Sequence, residues 1–359
     1  MNITEIDKNL KVDTTINEPD ITWFNVKNYP FTIHGVVYDN TAGRYLRMPD
    51  EIAQSVSQGV GLLNDNTAGG RVRFYTNSSF IGIHAVMKNP PPFSHMPIMG
   101  KSGFDLYRRL DSNDSFVYYH SFVPPLGMTD GYSAGFTTDS CSAEYIINFP
   151  LYDNVKELYI ALKKDAFLSE PTAYTHKKPV VYYGSSITQG GCASRPGNSY
   201  QAIISRRLDT DFINLGFSGS ALAETAMCEY LSKLEMSVFV CDYDHNAPDP
   251  EYLRKTHFHL YETIRKSQPN LPIIFLSAPC ILLKNSQFNE RRSIIYNTYQ
   301  TALSLGDKNV YFIGGEELFD GECWDNCTVD GTHPNDLGFY RMAMRTEKTL
   351  KIILAQHNF

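Results

Sequence analysis

Ser186 stands where a strand would deliver it. Pro179-Val180-Val181-Tyr182-Tyr183 is an apolar run of the kind that forms a buried parallel strand, and Gly184-Ser185-Ser186-Ile187-Thr188 follows it into the turn Gln189-Gly190-Gly191. Near the far end of the chain comes Asp330-Gly331-Thr332-His333. A serine hydroxyl is a weak nucleophile, so a histidine must take its proton and a carboxylate must orient that histidine. A strand-end serine with a late Asp-x-x-His is therefore an arrangement for acyl transfer. Two more strand ends offer donors for a developing oxyanion. Phe212-Ile213-Asn214-Leu215 runs into Gly216-Phe217-Ser218-Gly219-Ser220, where the Gly219 N–H precedes a helix. Val238-Phe239-Val240-Cys241-Asp242 runs into Tyr243-Asp244-His245-Asn246, where the Asn246 side chain is a second donor.

No metal is expected. Cys323, Cys327, Asp330 and His333 lack a second Cys pair at structural-zinc spacing, and His257 and His259 lie two apart on a helix, on different faces. The chemistry needs no organic cofactor either.

These residues need elements to hold them. Residues 20 to about 165 carry short alternating segments broken by turn residues, at 31–38, 71–76, 80–86, 116–122, 143–149 and 157–162. They read as an all-β sandwich, with one helix near 50–58. From about 178 the pattern becomes strand, loop, helix, repeated. Strands are expected at 179–183, 211–215, 236–242, 272–277 and 309–313, and helices at 198–208, 221–233, 250–267, 288–305 and 335–355. That alternation builds a mostly parallel sheet covered by helices, with ligands beyond the carboxyl ends of its strands. A polar stretch at 163–178 separates the two textures. The expected organisation is a jelly-roll-like sandwich over 1–175 and a catalytic three-layer α/β/α unit over 176–359.

Composition narrows the partners. With 32 Lys and Arg against 39 Asp and Glu, the net charge is -7 and no basic block occurs, which argues against nucleic acid. No apolar window is long enough to span a bilayer. The start, Met1 to Lys8, shows no secretory leader, so a cytoplasmic location is expected. The seven cysteines are scattered, mostly within apolar runs, and read as reduced thiols. Assembly into a homo-oligomer is compatible with the chain.

The four strand-end blocks resemble those of the SGNH hydrolases, the GDSL esterase/lipase family. The resemblance makes Ser186 the nucleophile, Asp330 and His333 its partners, and the Ser186 N–H, Gly219 and Asn246 the oxyanion donors. Gly103-Phe104-Asp105-Leu106-Tyr107 resembles the Gly-x-Asp-Leu-Tyr signature of a β-domain that precedes some SGNH domains. Tyr45-Leu46-Arg47-Met48-Pro49, Gly69 to Phe74 and Cys192 to Gly197 are also similar to that subgroup. Two departures stand out. Ser185 occupies the place of a usual Asp, and Asp244-His245-Asn246-Ala247 replaces a usual Gly-x-Asn-Asp.

The resemblance implies a serine esterase working through an acyl-enzyme. With no apolar lid segment and many aromatics, the expected substrate is a small acyl ester, acetyl above all, on an oligosaccharide. An acyltransferase using an alcohol acceptor is the alternative, and an inert carbohydrate-binding protein the second alternative. Arg195, a few residues past the nucleophile, and Phe93 and His95, on the proline-rich loop 89–97, are the candidate substrate contacts.

Overall fold

A computed structural model describes residues 15–88, 92–112, 114–279 and 286–357. Residues 1–14, the loop positions 89–91 and Cys280 lie outside the described residues.

The first half contains strands β1 (Ile21–Asn25), β2 (Thr32–His34), β3 (Val37–Asp39), β4 (Arg44–Leu46), β5 (Arg71–Thr76), β6 (Phe80–Met87), β7 (Phe104–Arg109), β8 (Val117–Phe122), β9 (Gly131–Thr137), β10 (Ala143–Asn148), β11 (Val155–Lys163) and β12 (Leu168–Ser169). One antiparallel sheet runs β1-β11-β6-β9. The other runs β12-β5-β10-β7-β8, with β2 sharing the outer edge of β5. The period of two along each strand fills the space between them. Ile81, Ile83, Ala85, Leu158, Ile160 and Leu162 face Val72, Phe74, Tyr145, Ile147, Phe104 and Leu106 in one core.

The alternate residues of the second sheet point the other way and are also buried, although many are charged. Arg71, Arg73, Asp105, Arg109, Glu144 and Asn148 all lie under cover. That face docks on the second half of the chain. Glu144 pairs with both Arg73 and Arg109. Arg71 pairs with Asp211, which also meets His34 Nδ1 at 3.0 Å, and Arg71 donates to Tyr174 Oη at 2.8 Å and to the Phe212 carbonyl at 3.2 Å.

The second half holds β13 (His176–Gly184), β14 (Thr210–Gly216), β15 (Val238–Asp242), β16 (Ile273–Leu276) and β17 (Val310–Ile313), all parallel, in the order β14-β13-β15-β16-β17. Helices Tyr200–Leu208 and Asp336–His357 cover one face, through Ile204, Phe339, Met342 and Leu350. Helices Thr225–Lys233, Pro250–Ser267 and Ser286–Ser304 cover the other. The expected 50–58 helix proves to be two, Asp50–Val56 and Gln58–Leu63, and they pack on the parallel sheet rather than within the sandwich. Ala53, Val56 and Val60 share a core with Val181, Leu215 and Met227. Among the described residues no helix is long and apolar enough to cross a membrane, and the six described cysteines are free.

The chain crosses from β14 past β13 to β15, so the strand order reverses around β13, and the crevice at its carboxyl end is the natural ligand position.

Arg71 is the test of the seam. Arg71→Leu leaves the Asp211 carboxylate with His34 and the Phe212 N–H but no arginine opposite, and is expected to cost about 3 kcal/mol in urea unfolding. Arg71→Leu combined with Asp211→Leu should recover part of that loss. Equal stability of the single variant and the parent would show that the ion pair does not hold the halves together.

Candidate active site

Ser186 opens a one-turn helix, Ser186–Gln189, directly after β13. Ser185 caps it, its Oγ accepting the Ile187 N–H at 3.2 Å, which is the work this residue does where the resemblance leads one to expect Asp. Gly190 closes the turn in the left-handed region, at φ 105°, with its N–H on the Ser186 and Ile187 carbonyls at 3.1 Å each. As the first helical residue, Ser186 has an N–H with no intrahelical acceptor.

His333 arrives on a loop closed by a bridge between Thr328 and Pro334. Asp330 organises that loop with one carboxylate. Its Oδ1 accepts the Thr332 and His333 backbone N–H groups at 3.0 and 2.8 Å, and its Oδ2 meets His333 Nδ1 at 2.7 Å. Burial pushes this carboxyl up, but the His333 backbone N–H, the His333 ring and the Thr332 N–H outweigh it and hold it down to about 2. The ionised Asp330 therefore accepts from Nδ1–H, which leaves the Nε2 lone pair facing Ser186 Oγ at 2.9 Å. Serine, histidine and aspartate form one continuous hydrogen-bonded row, suited to moving a proton off the serine.

The loop after β14 is fixed from several sides. The Phe217 N–H donates to the Gly184 carbonyl at 2.8 Å. Asn246 Nδ2 donates to the Phe217 carbonyl at 2.9 Å, which engages one of its two amide hydrogens. Ser218 N–H donates to Gln189 Oε1 at 3.0 Å, while Gln189 Nε2 reaches Asn66 Oδ1 at 3.0 Å and the Leu151 carbonyl at 3.2 Å. Arg47 lies over the Phe217 ring at 4.3 Å and donates to the Gly216 and Leu63 carbonyls. Gly219 is exposed at φ 67°, and its N–H has no acceptor among the described residues.

The sandwich reaches the same place. Tyr152 Oη donates to the Ser186 carbonyl at 3.2 Å. The Phe93 ring meets Tyr152 edge-on at 5.9 Å, and the His95 ring lies 5.7 Å from that of His333. His95 thus stands beside His333, and Phe93 stands behind it, against His95 and Tyr152. Arg195 points elsewhere, over Tyr118 at 4.0 Å and toward Asp105 at 3.8 Å, both in the sandwich. His245, beside Asn246, is pushed down to about 4 by burial, His333 and Arg291, so it is neutral at neutral pH. Among the described residues one group could hold a metal ion, His95, Cys192 and His333.

Four residues of this site have no role assigned from the sequence: Tyr152, Gln189, Arg47, which lies in the stretch Tyr45 to Pro49, and Asn214, whose Nδ2 donates to the Thr188 carbonyl at 2.7 Å. Each acts through backbone groups far away in sequence. Only the buried-polar character of Gln189 and Asn214, next to motif residues, could have signalled them.

Residues 177–351 match the GDSL-like Lipase/Acylhydrolase family, and residues 21–168 match the N-terminus of SGNH-hydrolase-type esterases. The chain belongs to the SGNH/GDSL hydrolase family, in the subgroup with the Gly-x-Asp-Leu-Tyr β-domain. A crystal structure described as a GDSL-like lipase from Bacteroides ovatus is 26% identical, with a TM-score of 0.82 over 93% of this chain and 98% of its own. A salicylyl-acyltransferase from a tetracycline biosynthetic pathway is 16% identical, with a TM-score of 0.77 over 94% and 98%. A family two carbohydrate esterase from Clostridium thermocellum, in complex with cellohexaose, is 16% identical, with a TM-score of 0.58 over 80% and 93%. At their identities the last two share the fold with this chain. Comparison with curated proteins gave no match.

Two outcomes follow from this geometry. Gln189→Leu cuts the tie between Ser218 and the sandwich, and should lower kcat for an aryl acetate by roughly 10–100-fold with a smaller change in KM, less than loss of a direct oxyanion donor. Unaltered kcat would show that the tie does not position the loop.

Asp244 tests the electrostatics of the third loop. Burial pushes its carboxyl up to about 6, against the Ala278 N–H, which donates to it at 2.9 Å, and Arg291. A folded value above the unfolded one stabilises fully below about 3.8 and is lost as pH rises through about 6. Asp244→Asn should therefore gain about 2–3 kcal/mol relative to the parent between pH 4 and pH 7. A pH-independent difference in unfolding free energy would refute this.

Proposed function

We propose that this chain is a serine esterase that removes small acyl groups, acetyl above all, from carbohydrate. The observation that carries the reading is the row Ser186 Oγ, His333 Nε2, His333 Nδ1, Asp330 Oδ2, with steps of 2.9 and 2.7 Å at the two hydrogen bonds. Ser186 Oγ attacks the ester carbonyl while His333 Nε2 takes its proton. Asp330 holds the ring and stabilises the imidazolium. The oxyanion is met by the Ser186 and Gly219 N–H groups and the free amide hydrogen of Asn246, each worth ~3 kcal/mol. His333 then protonates the leaving alcohol, and water, activated by the same ring, releases the acid.

A sugar ester fits the mouth of this site. His95 borders His333 with the exposed Phe93 ring next to it, and an aromatic ring face is a good surface for the apolar C–H face of a pyranose. The carbohydrate esterase of the same fold is in keeping with this choice. Transfer of the acyl group to an alcohol uses the same acyl-enzyme. The likeness to the salicylyl-acyltransferase is the observation that favours this second reading.

A fluorophosphonate probe should label the parent and not Ser186→Ala. Ser186→Ala and His333→Ala should each lose on the order of 10⁴-fold or more in kcat, and Asp330→Asn less than either. Rates on aryl esters should fall steeply from acetyl to octanoyl. Normal turnover by folded Ser186→Ala would remove the assignment of the nucleophile, and rates that rise with chain length would remove that of the acyl group. Products formed with and without an added alcohol separate hydrolysis from transfer.

A further inference from the structure

Two side chains from separate pieces of chain converge on His333, the histidine of the triad. His95 comes from the loop after β6, Cys192 from the turn after helix Ser186–Gln189, and His333 from the loop before the last helix. One ligand atom of each, two imidazole nitrogens and a sulfur, lies within 4.8 Å of the others. Acyl transfer uses only His333 of the three.

Cys192 is unusual on its own account. It is buried, and its backbone sits in the left-handed region at φ 74°, which residues with a Cβ generally avoid. Burial, and after it the Asp330 carboxylate, push the Cys192 thiol up to about 12, so a cation must displace its proton. His95 is exposed, so the group can be reached from solvent.

We propose that His95, Cys192 and His333 form a binding site for a thiophilic divalent cation of the Zn²⁺ class, and that filling it switches the enzyme off. Two imidazoles and a thiolate are a ligand set that selects such ions over Mg²⁺ or Ca²⁺. With Zn–S near 2.3 Å and Zn–N near 2.0–2.1 Å in a tetrahedron, ligand atoms stand roughly 3.3–3.7 Å apart. From spacings of up to 4.8 Å the group closes by at most about 1–1.5 Å, shared between the exposed His95 ring and rotation of the Cys192 and His333 side chains. Water takes the fourth position. On binding, the Cys192 thiol releases its proton to solvent and the metal–thiolate bond forms, with no change of oxidation state.

The switch follows from the occupancy of His333. Its Nε2 faces Ser186 and its Nδ1 faces Asp330. A cation on either nitrogen removes one of those hydrogen bonds, so the serine loses its base or the base loses its orienter. This effect on rate rests on the proposed roles of Ser186, His333 and Asp330; the binding site itself does not.

The test uses the full chain and two probes. Co²⁺ reports binding through its thiolate-to-metal charge-transfer band, and Zn²⁺ reports inhibition of aryl acetate hydrolysis. One equivalent of Co²⁺ should give the band in the parent. Cys192→Ser should abolish it, and His95→Ala should weaken the affinity by at least ~10–100-fold. Stoichiometric Zn²⁺ should lower hydrolysis at least tenfold, reversibly with a chelator. Cys192→Ser and His95→Ala, each measured against its own metal-free rate, should need far more Zn²⁺ for the same effect. Absence of a thiolate band in the parent would overturn the proposal, as would undiminished Zn²⁺ inhibition in both variants. A band in protein that shows no hydrolysis before metal is added supports the site and removes instead the esterase reading.

Discussion

Polar backbone at the carboxyl ends of buried strands must find partners, and that constraint shapes everything around Ser186. The loops after β13, β14 and β15 start under cover, and only some of their carbonyls and N–H groups pair with one another, as the Phe217 N–H does with the Gly184 carbonyl. Long side chains complete the pairing. Gln189 spans the gap from Ser218 to Asn66 and Leu151. Asn214 returns to the Thr188 carbonyl and also accepts the Gly216 N–H at 2.9 Å. Arg47 covers the carbonyls of Gly216 and Leu63. Remove these and the loops would need water where the site must stay dry.

The Gly-x-Asp-Leu-Tyr signature has a mechanical meaning in the same terms. Asp105, fully buried, accepts the Gly197 N–H at 2.8 Å and the Asn148 side-chain amide at 2.9 Å. A Cβ on Gly197 would run into the Tyr107 ring and the Asp105 carboxylate itself. Nearby, Ser194 N–H and Asn198 Nδ2 each donate to Asp336 at 2.9 Å, just beyond His333. The signature therefore clasps the loop that follows Ser186 and, through Asp336, the helix that follows His333. Arg195 belongs to this clasp, stacked on Tyr118.

Much of this was legible in the sequence, for physical reasons. Val180–Tyr183 of β13, β15, β16 and β17 are largely continuous apolar runs because both faces of the sheet are covered, and such runs stand out. Ser186, Asp330 and His333 lie in short motifs whose local backbone does part of the work, as when Asp330 caps its own turn. β9, Gly131–Thr137, was not legible. Its two glycines and small residues give little alternation, and it is held by pairing along β6. The destination of the helices at 50–63 was hidden too. Their apolar stripe specifies burial but not the partner, and here the partner lies more than a hundred residues away.

Those two helices bear on how the chain comes into being. During synthesis the sandwich strands are complete well before the parallel sheet exists. Until β14 and the helix Thr225–Lys233 have emerged, Ala53, Val56 and Val60 have nothing to cover them. A half-made molecule therefore carries a sticky apolar stripe beside the still uncovered charged face of the second sheet, the condition under which nascent chains aggregate or recruit chaperones. Closing that surface also brings Arg47 and Asn66 to the loops they hold. Burial of the early helices and assembly of a competent crevice are thus a single late event, and the sandwich acts as a template that waits for its second half.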